Sequence, residues 1–235
     1  MQGVLEDALR TVLRLPAVPL TVAGRTDAGV HATGQVVHCD LPALPDDLLR
    51  RLAGVLPADV RVRAAREVPA EFDARFAALW RRYVYAIGDA PGGVDPLRRR
   101  QVLAWPRRLD EAGMADAASR LLGLHDFTAF CRRRERATSV RTLTRLSVER
   151  LGEEVACTVQ ADAFCHSMVR SLVGGLIAVG EGRRPVDWPA SLLGRDRRAD
   201  EVPVAPAHGL TLVAVGYPPD DQLAARATAT RARRA

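Results

Sequence analysis

Lysine and asparagine are both absent from this 235-residue chain, so every one of its 34 basic side chains is arginine. The joint absence points to GC-rich coding pressure, so the missing lysine carries no functional meaning by itself. Aromatic residues make up only 5% of the chain. Four cysteines are present (Cys39, Cys131, Cys157, Cys165), with no Cys-x-x-Cys pair. That spacing argues against a structural zinc site, and reduced, mostly buried thiols are the expectation. No metal site is expected. No apolar run approaches the roughly 20 residues of a membrane span. The longest candidate, Leu172 to Val179, is short and interrupted by Gly174 and Gly175. The first ten residues carry Glu6 and Asp7 and lack a basic-then-apolar leader pattern. The expectation is a cytoplasmic protein without a membrane partner.

What the chain does contain is an ordinary core-forming composition, 48% hydrophobic, with a mean hydropathy of −0.05. This excludes disorder as the overall state. The net charge is +6. Arginines cluster at Arg98-Arg99-Arg100, Arg107-Arg108, Arg132-Arg133-Arg134, Arg183-Arg184, Arg195 with Arg197-Arg198, and Arg231, Arg233 and Arg234. A solvated surface explains any single cluster. Together they favour a polyanionic partner, most simply nucleic acid.

Periodicity divides the chain into two α+β halves. Apolar residues at Val4, Leu5, Ala8, Leu9, Val12 and Leu13 mark a helix. Pro45-Asp46-Asp47 opens a second one through Val55, with acids where the helix dipole favours them. Val60 to Val68 and Trp80 to Ile87 alternate as strands, the latter with Tyr83 and Tyr85 on one face. Pro91-Gly92-Gly93 is a turn, and the stretch to Pro106 reads as a linker. Further on, a helix from Asp110 to Leu122 precedes strands at Thr142 to Arg150 and Val155 to Phe164, which turn at Gly152-Glu153. A helix from about His166 to Val179, a shorter one at Val186 to Leu193 and a strand at Leu210 to Val215 complete the half. The expected domains are residues 1–105, residues 106–219, and a disordered basic tail at 220–235. Each half has the strand-and-helix pattern of a ferredoxin-like unit.

The densest polar segment is Gly24-Arg25-Thr26-Asp27-Ala28-Gly29-Val30-His31-Ala32-Thr33-Gly34-Gln35, flanked by strand-like residues on both sides. Glycines there permit left-handed turns and close approach of a ligand. Asp27 is the candidate for chemistry; the plainer reading is an Asp that closes the turn through its own side chain. The segment lacks the Gly-Lys-Ser/Thr ending of a phosphate loop and the Gly-x-Gly-x-x-Gly spacing of a dinucleotide loop. His31 and His38 have no carboxylate or cysteine at metal-ligand spacing, so hydrogen-bonded histidines are expected.

This segment resembles the catalytic loop of tRNA pseudouridine synthases of the TruA type. Four further segments resemble that family in the right order: Phe72 to Phe76 followed by Arg81 to Tyr85, Asp126 to Phe130, Ala163 to Arg170, and Gly209 to Val215. The resemblance runs to about Pro218. It implies a pseudouridine synthase fold, a mixed and mainly antiparallel sheet with helices on one side. It also implies a cofactor-free isomerase that converts uridine to pseudouridine at positions 38, 39 and 40 of the tRNA anticodon arm and acts as a homodimer. By the same resemblance, Asp27 matches the essential aspartate, which attacks C6 of the base or C1′ of the ribose. Tyr83 matches the tyrosine that stacks on the uracil and assists removal of the C5 proton. Arg170 matches the basic residue paired with the aspartate, and Arg25 the arginine that enters the RNA as the nucleotide leaves the stack. Tyr83 and Arg170 also have plain readings, a strand aromatic and a helix-surface arginine.

Members of the family begin with a strand and a Tyr-Asp-Gly…Gly-Trp-Gln type segment, whereas Met1 here aligns with the start of the first helix. The first strand is therefore expected to be missing. The expectation is that the natural start lies upstream and Met1 stands for an internal valine read as a start codon; a mature terminus at Met1 or Gln2 by mass spectrometry would contradict it. The alternative function is an N-terminally truncated, inactive RNA-binding homologue. A metal-dependent nuclease would need a carboxylate cluster that the sequence does not show.

Overall fold

The computed structural model describes residues 1–132 and 138–232. Its packing groups the chain into two units. One comprises Met1–Arg25, Val36–Ala78 and the C-terminal segment from Tyr217; the other comprises Thr26–Gln35 and Leu79–Gly216.

The larger unit is built on a seven-stranded sheet. Its strands are β2 (His31–Ala32), β4 (Trp80–Gly88), β5 (Leu103–Ala104), β6 (Gly123–Asp126), β7 (Val140–Leu151), β8 (Glu154–Ala161) and β9 (Leu210–Gly216). They lie in the order β2-β9-β4-β8-β7-β6, with β5 beside the end of β4. The β2–β9 and β4–β5 pairs are parallel and the others antiparallel, which gives the expected mixed, mainly antiparallel α+β sheet. Alternation in β4 sends Tyr83, Tyr85 and Ile87 to one buried face. Alternation in β8 does the same for Val155, Cys157, Val159 and Ala161. In β7 the buried set is Leu143, Leu146 and Val148, a broken period of two. The register against β8 shifts between Leu143 and Arg145, and such an irregularity re-aims the side chains that follow.

Helices α3 (Glu111–Ser119) and α4 (Met168–Gly180) cover the buried sheet face, and the short α5 (Trp188–Ser191) joins them. Asp110 caps α3 by accepting a hydrogen bond from the Gly113 N–H at 3.1 Å. Every residue of α4 except Arg170 is buried. A Cβ on its Gly174 would lie 2.0 Å from the Pro203 carbonyl oxygen, so only glycine fits that approach. Away from the candidate site, Asp89 is sealed and accepts a two-pronged contact from Arg150 at 2.8 and 3.0 Å. Burial alone would raise the Asp89 carboxyl, but the hydrogen bonds from Arg150 and the Leu109 N–H outweigh it and hold it below the usual range.

The smaller unit contains α1 (Gln2–Leu13), α2 (Leu48–Val55), α6 (Leu223–Ala232) and one antiparallel pair, β1 (Thr21–Val22) with β3 (Val37–His38). Leu9, Val12, Leu20, Leu48 and Leu52 form its main apolar cluster. Glu6 accepts the Leu20 N–H at 3.0 Å while Gln2 donates to the Leu20 carbonyl at 2.9 Å, which fixes the chain entering β1. His38 Nδ1 accepts from the Ala74 N–H at 3.0 Å, the hydrogen-bonded role expected of it.

Several expectations need correction. The boundary does not fall at residue 105, because β4 is hydrogen-bonded between β8 and β9 and so belongs to the large sheet. Residues 91–106 are more than a linker: β5 pairs with β4, and Val102 and Leu103 are buried. The alternating Val60 to Val68 segment is not a strand; residues 63–69 are exposed and carry no ladder. The tail beyond 220 is not disordered through residue 232, because Leu223 and Ala227 of α6 bury against Ala77, Phe72, Phe76 and Tyr217. Arg226 donates to the Ala78 carbonyl and Arg231 pairs with Asp73 at 2.7 Å, so arginines that looked like a solvated run anchor the helix.

Cys131 and Cys165 form a disulfide across a Cα separation of 5.7 Å, within the usual range for such a bridge, in place of the reduced pair expected. Cys39 and Cys157 are free. Complete burial pushes the Cys157 thiol up to about 12, so it behaves as a small core apolar group. Among the described residues, no helix is long and apolar enough to cross a membrane.

Candidate active site

The site is built on the part of the glycine-rich segment that belongs to the sheet unit. Residues 27–30 form a turn closed by the Val30 N–H donating to the Asp27 carbonyl at 3.1 Å. Gly29 sits at its third position with φ of 84°, which the turn requires and which a side chain would oppose. The chain then enters β2 alongside β9. The Thr33 and Gly34 N–H groups both donate to the Leu212 carbonyl, at 2.9 and 3.1 Å. A Cβ at Gly34 would stand 2.1 Å from the Val213 oxygen, so the loop lies directly on β9. Asp27 is thus held on a sheet edge and not on a free loop.

The Asp27 carboxylate is gripped at both oxygens. Arg170 Nη1 lies 3.2 Å from Oδ2, and His166 Nε2 lies 3.3 Å from Oδ1. Arg170 lies in the first turn of α4, where the helix dipole adds partial positive charge, and His166 lies two residues before the helix. Arg170 is itself fixed: its Nε donates to the Ala205 carbonyl at 2.7 Å, and its own carbonyl accepts the Ala205 N–H at 3.0 Å. The carboxylate keeps 30% of its side-chain surface open, enough to meet an incoming group.

Tyr83 lies on the same sheet face as Tyr85, yet the two differ. Tyr85 is fully buried, and its hydroxyl donates to the Pro206 carbonyl at 2.8 Å. Tyr83 keeps 8% exposure and meets Phe164 edge-to-face at 5.3 Å. Its phenol is pushed up to about 12, mainly by burial; the Asp27 charge raises it further and Arg81 opposes this. At neutral pH it is therefore an aromatic surface with a protonated hydroxyl beside the carboxylate.

Of the four residues singled out by sequence, the structure brings Asp27 and Arg170 into contact and sets Tyr83 within the field of Asp27. Arg25 is exposed and belongs to the smaller unit. His166 had no assigned role; it lies two residues before α4, and the left-handed turn at Ser167 sets it against Asp27, so spacing in the sequence did not mark it. His31 Nε2 contacts the Arg100 carbonyl at 2.5 Å. Among the described residues no group of three potential ligands could hold a metal ion. Of the expected arginine cluster after Cys131, Arg133 and Arg134 lie outside the described residues.

Comparison with known proteins bears on the same elements. A family model described as tRNA pseudouridine synthase matches residues 117–218, which include His166 and Arg170. Tyrosine 83 and the Asp27 turn fall outside that stretch but inside whole-chain matches. The tRNA pseudouridine synthase A of Frankia casuarinae is 63% identical over 240 residues, covering 100% of this chain and 86% of the relative. The synthase A of Streptomyces griseus is 55% identical, covering 98% and 84%, and that of Mycobacterium leprae 50% identical, covering 97% and 85%. The chain belongs to the tRNA pseudouridine synthase A family. As a member it is an isomerase, and its sheet is consistent with the pseudouridine synthase fold.

Proposed function

We propose that the chain converts uridine to pseudouridine at positions 38–40 of the tRNA anticodon arm, with Asp27 as the nucleophile. The observation that carries this reading is the Asp27 carboxylate, partly open to solvent and held at one oxygen by Arg170 and at the other by His166. A carboxylate so fixed can attack an electrophilic carbon and leave again, which is covalent catalysis without an external reactant. Attack at C1′ forms an ester and releases N1 with the bonding pair; attack at C6 forms an adduct from which the glycosidic bond breaks. In either route the base turns, C5 bonds to C1′, the carboxylate is released, and the C5 proton is lost while N1 gains one. Atoms and electrons balance without an oxidant or reductant.

Tyr83 supplies a flat surface against which the uracil stacks. Burial raises its phenol to about 12, so the hydroxyl is protonated before the reaction begins, and Tyr83 assists removal of the C5 proton from that starting state. The target base must leave its stack to reach Asp27, and Arg25, exposed and two positions earlier in the chain, fills the space it vacates. Arginine clusters track the phosphates, so affinity falls steeply with salt. The active form is a homodimer in the cytoplasm, with one tRNA spanning both subunits. Retention of Asp27, Tyr83 and Arg170 together weighs against the inactive RNA-binding alternative.

The test is incubation with unmodified tRNA followed by chemical labelling of pseudouridine and mapping of the labelled position. Product at positions 38–40 is expected. Binding without product would support the RNA-binding alternative, and product elsewhere would overturn the assignment of the anticodon arm.

A further inference from the structure

We infer that His166 is a positioning residue for Asp27, and that its Nε2 edge, 3.3 Å from Oδ1, sets the orientation of the attacking carboxylate. The inference rests on the reading of Asp27 as the nucleophile. A carboxylate held by Arg170 alone, through a single Nη1 contact at 3.2 Å, can rotate about its own axis. The second contact, from His166 Nε2 to Oδ1 at 3.3 Å, removes that freedom. An ionised carboxylate has about four lone-pair sites, so each oxygen keeps a free lone pair after both contacts form. Productive attack demands placement of the nucleophile within roughly 0.5 Å and 10–20°.

His166 is placed for this task by its own backbone. Its carbonyl accepts the Arg132 N–H at 2.9 Å, and the preceding residue, Cys165, is bridged to Cys131. The following residue, Ser167, has φ of 66°. A non-glycine residue in that left-handed region is strained, and such residues cluster where function requires them. The only other one among the described residues is Arg14, which ends α1 in an ordinary helix cap. The turn at Ser167 carries the chain from Phe164, which braces Tyr83, to the start of α4 while His166 faces Asp27. One short segment, 164–170, therefore supports both the stacking tyrosine and the carboxylate.

Nε2 attracts the carboxylate only when it carries a proton, as in the Nε2–H tautomer or the imidazolium. This separates two conservative replacements. Glutamine sets an amide NH₂ near the place of Nε2, whereas asparagine sets one near the place of Nδ1. The experiment measures single-turnover pseudouridine formation, tRNA affinity and melting temperature for His166→Gln, His166→Asn and His166→Phe. The Asn and Phe variants are expected to lose on the order of 10- to 100-fold in rate, the size expected when a close polar partner of a charged group is removed. Affinity and melting temperature are expected to stay at wild-type values, and His166→Gln to recover most of the lost rate. Equal rates for the Asn and Gln variants, a wild-type rate for His166→Asn, or a loss that follows affinity or melting temperature would overturn the inference. Asp27→Asn in parallel keeps the two ideas apart. If that variant still makes product, the nucleophile reading fails; if it is dead while His166→Asn is fully active, only the role of His166 fails.

Discussion

In the sheet unit, strands of 7 to 12 residues seal Tyr85, Ile87 and Cys157 completely, and α4 lays Leu172 and Leu176 across them. In the smaller unit the one ladder among the described residues has two residues per strand, and the apolar clusters rest on helices α1, α2 and α6. Asp27, Tyr83, His166 and Arg170 all fall in the first. The contrast shows why the carboxylate is well placed. Tyr83 stands on the nine-residue β4, and the Asp27 turn leads into β2, which pairs with β9, itself paired along β4; groups so anchored hold their geometry better than groups on free loops. The second unit is poorer in long-range ladders and is expected to open at lower cost.

The largest effect on stability should come from the sheet unit's core. Leu172→Ala is expected to cost about 3–5 kcal/mol, the upper part of the range for a buried leucine, and to lower activity with it. Leu52→Ala removes an equally buried leucine from the smaller unit and is expected to cost about 2–3 kcal/mol. Hydrogen exchange sharpens the comparison: the Leu52 variant should speed exchange of amides in α1 and α2 while β8 amides stay protected. Equal acceleration in β8 would show that the two units open as one and break the contrast.

Acid provides a second probe. The Asp89 carboxyl is held below its ordinary value in the folded state, so its contribution is fully present above the unfolded value near 3.9 and is lost as pH falls through the folded one. Urea midpoints should change little from pH 7 to 5 and drop below about pH 4. Asp89→Asn leaves the Arg150 guanidinium without its buried partner. It should cost about 3 kcal/mol at pH 7 and flatten the acid decline. An unchanged decline in that variant would remove Asp89 from the account.

Much of this contrast is legible in the residues. The period of two that places Tyr83, Tyr85 and Ile87 together gives β4, and the apolar run after His166 gives α4. The ends and partners are harder, because they depend on what the chain meets after folding. Val60 to Val68 alternates correctly, yet a strand needs a neighbour to complete its hydrogen bonds, and residues 63–69 have no ladder. The tail is rich in alanine, threonine and arginine, which reads as solvated until Leu223 finds the platform of Phe72, Phe76 and Tyr217. In the site, Asp27 and Arg170 stand out by residue type and by family resemblance. His166 does not, because a lone histidine before a helix is common, and only the turn at Ser167 reveals where it faces.

The most direct measurement is a single-turnover assay of Asp27→Asn against the unaltered chain on unmodified tRNA, with tRNA affinity determined in the same preparation. The account predicts pseudouridine at positions 38–40 for the unaltered chain and a rate at least about 10⁴-fold lower for the variant, with affinity retained. Product formation by the variant at a comparable rate, or a loss of product matched by an equal loss of affinity, would contradict a nucleophilic Asp27.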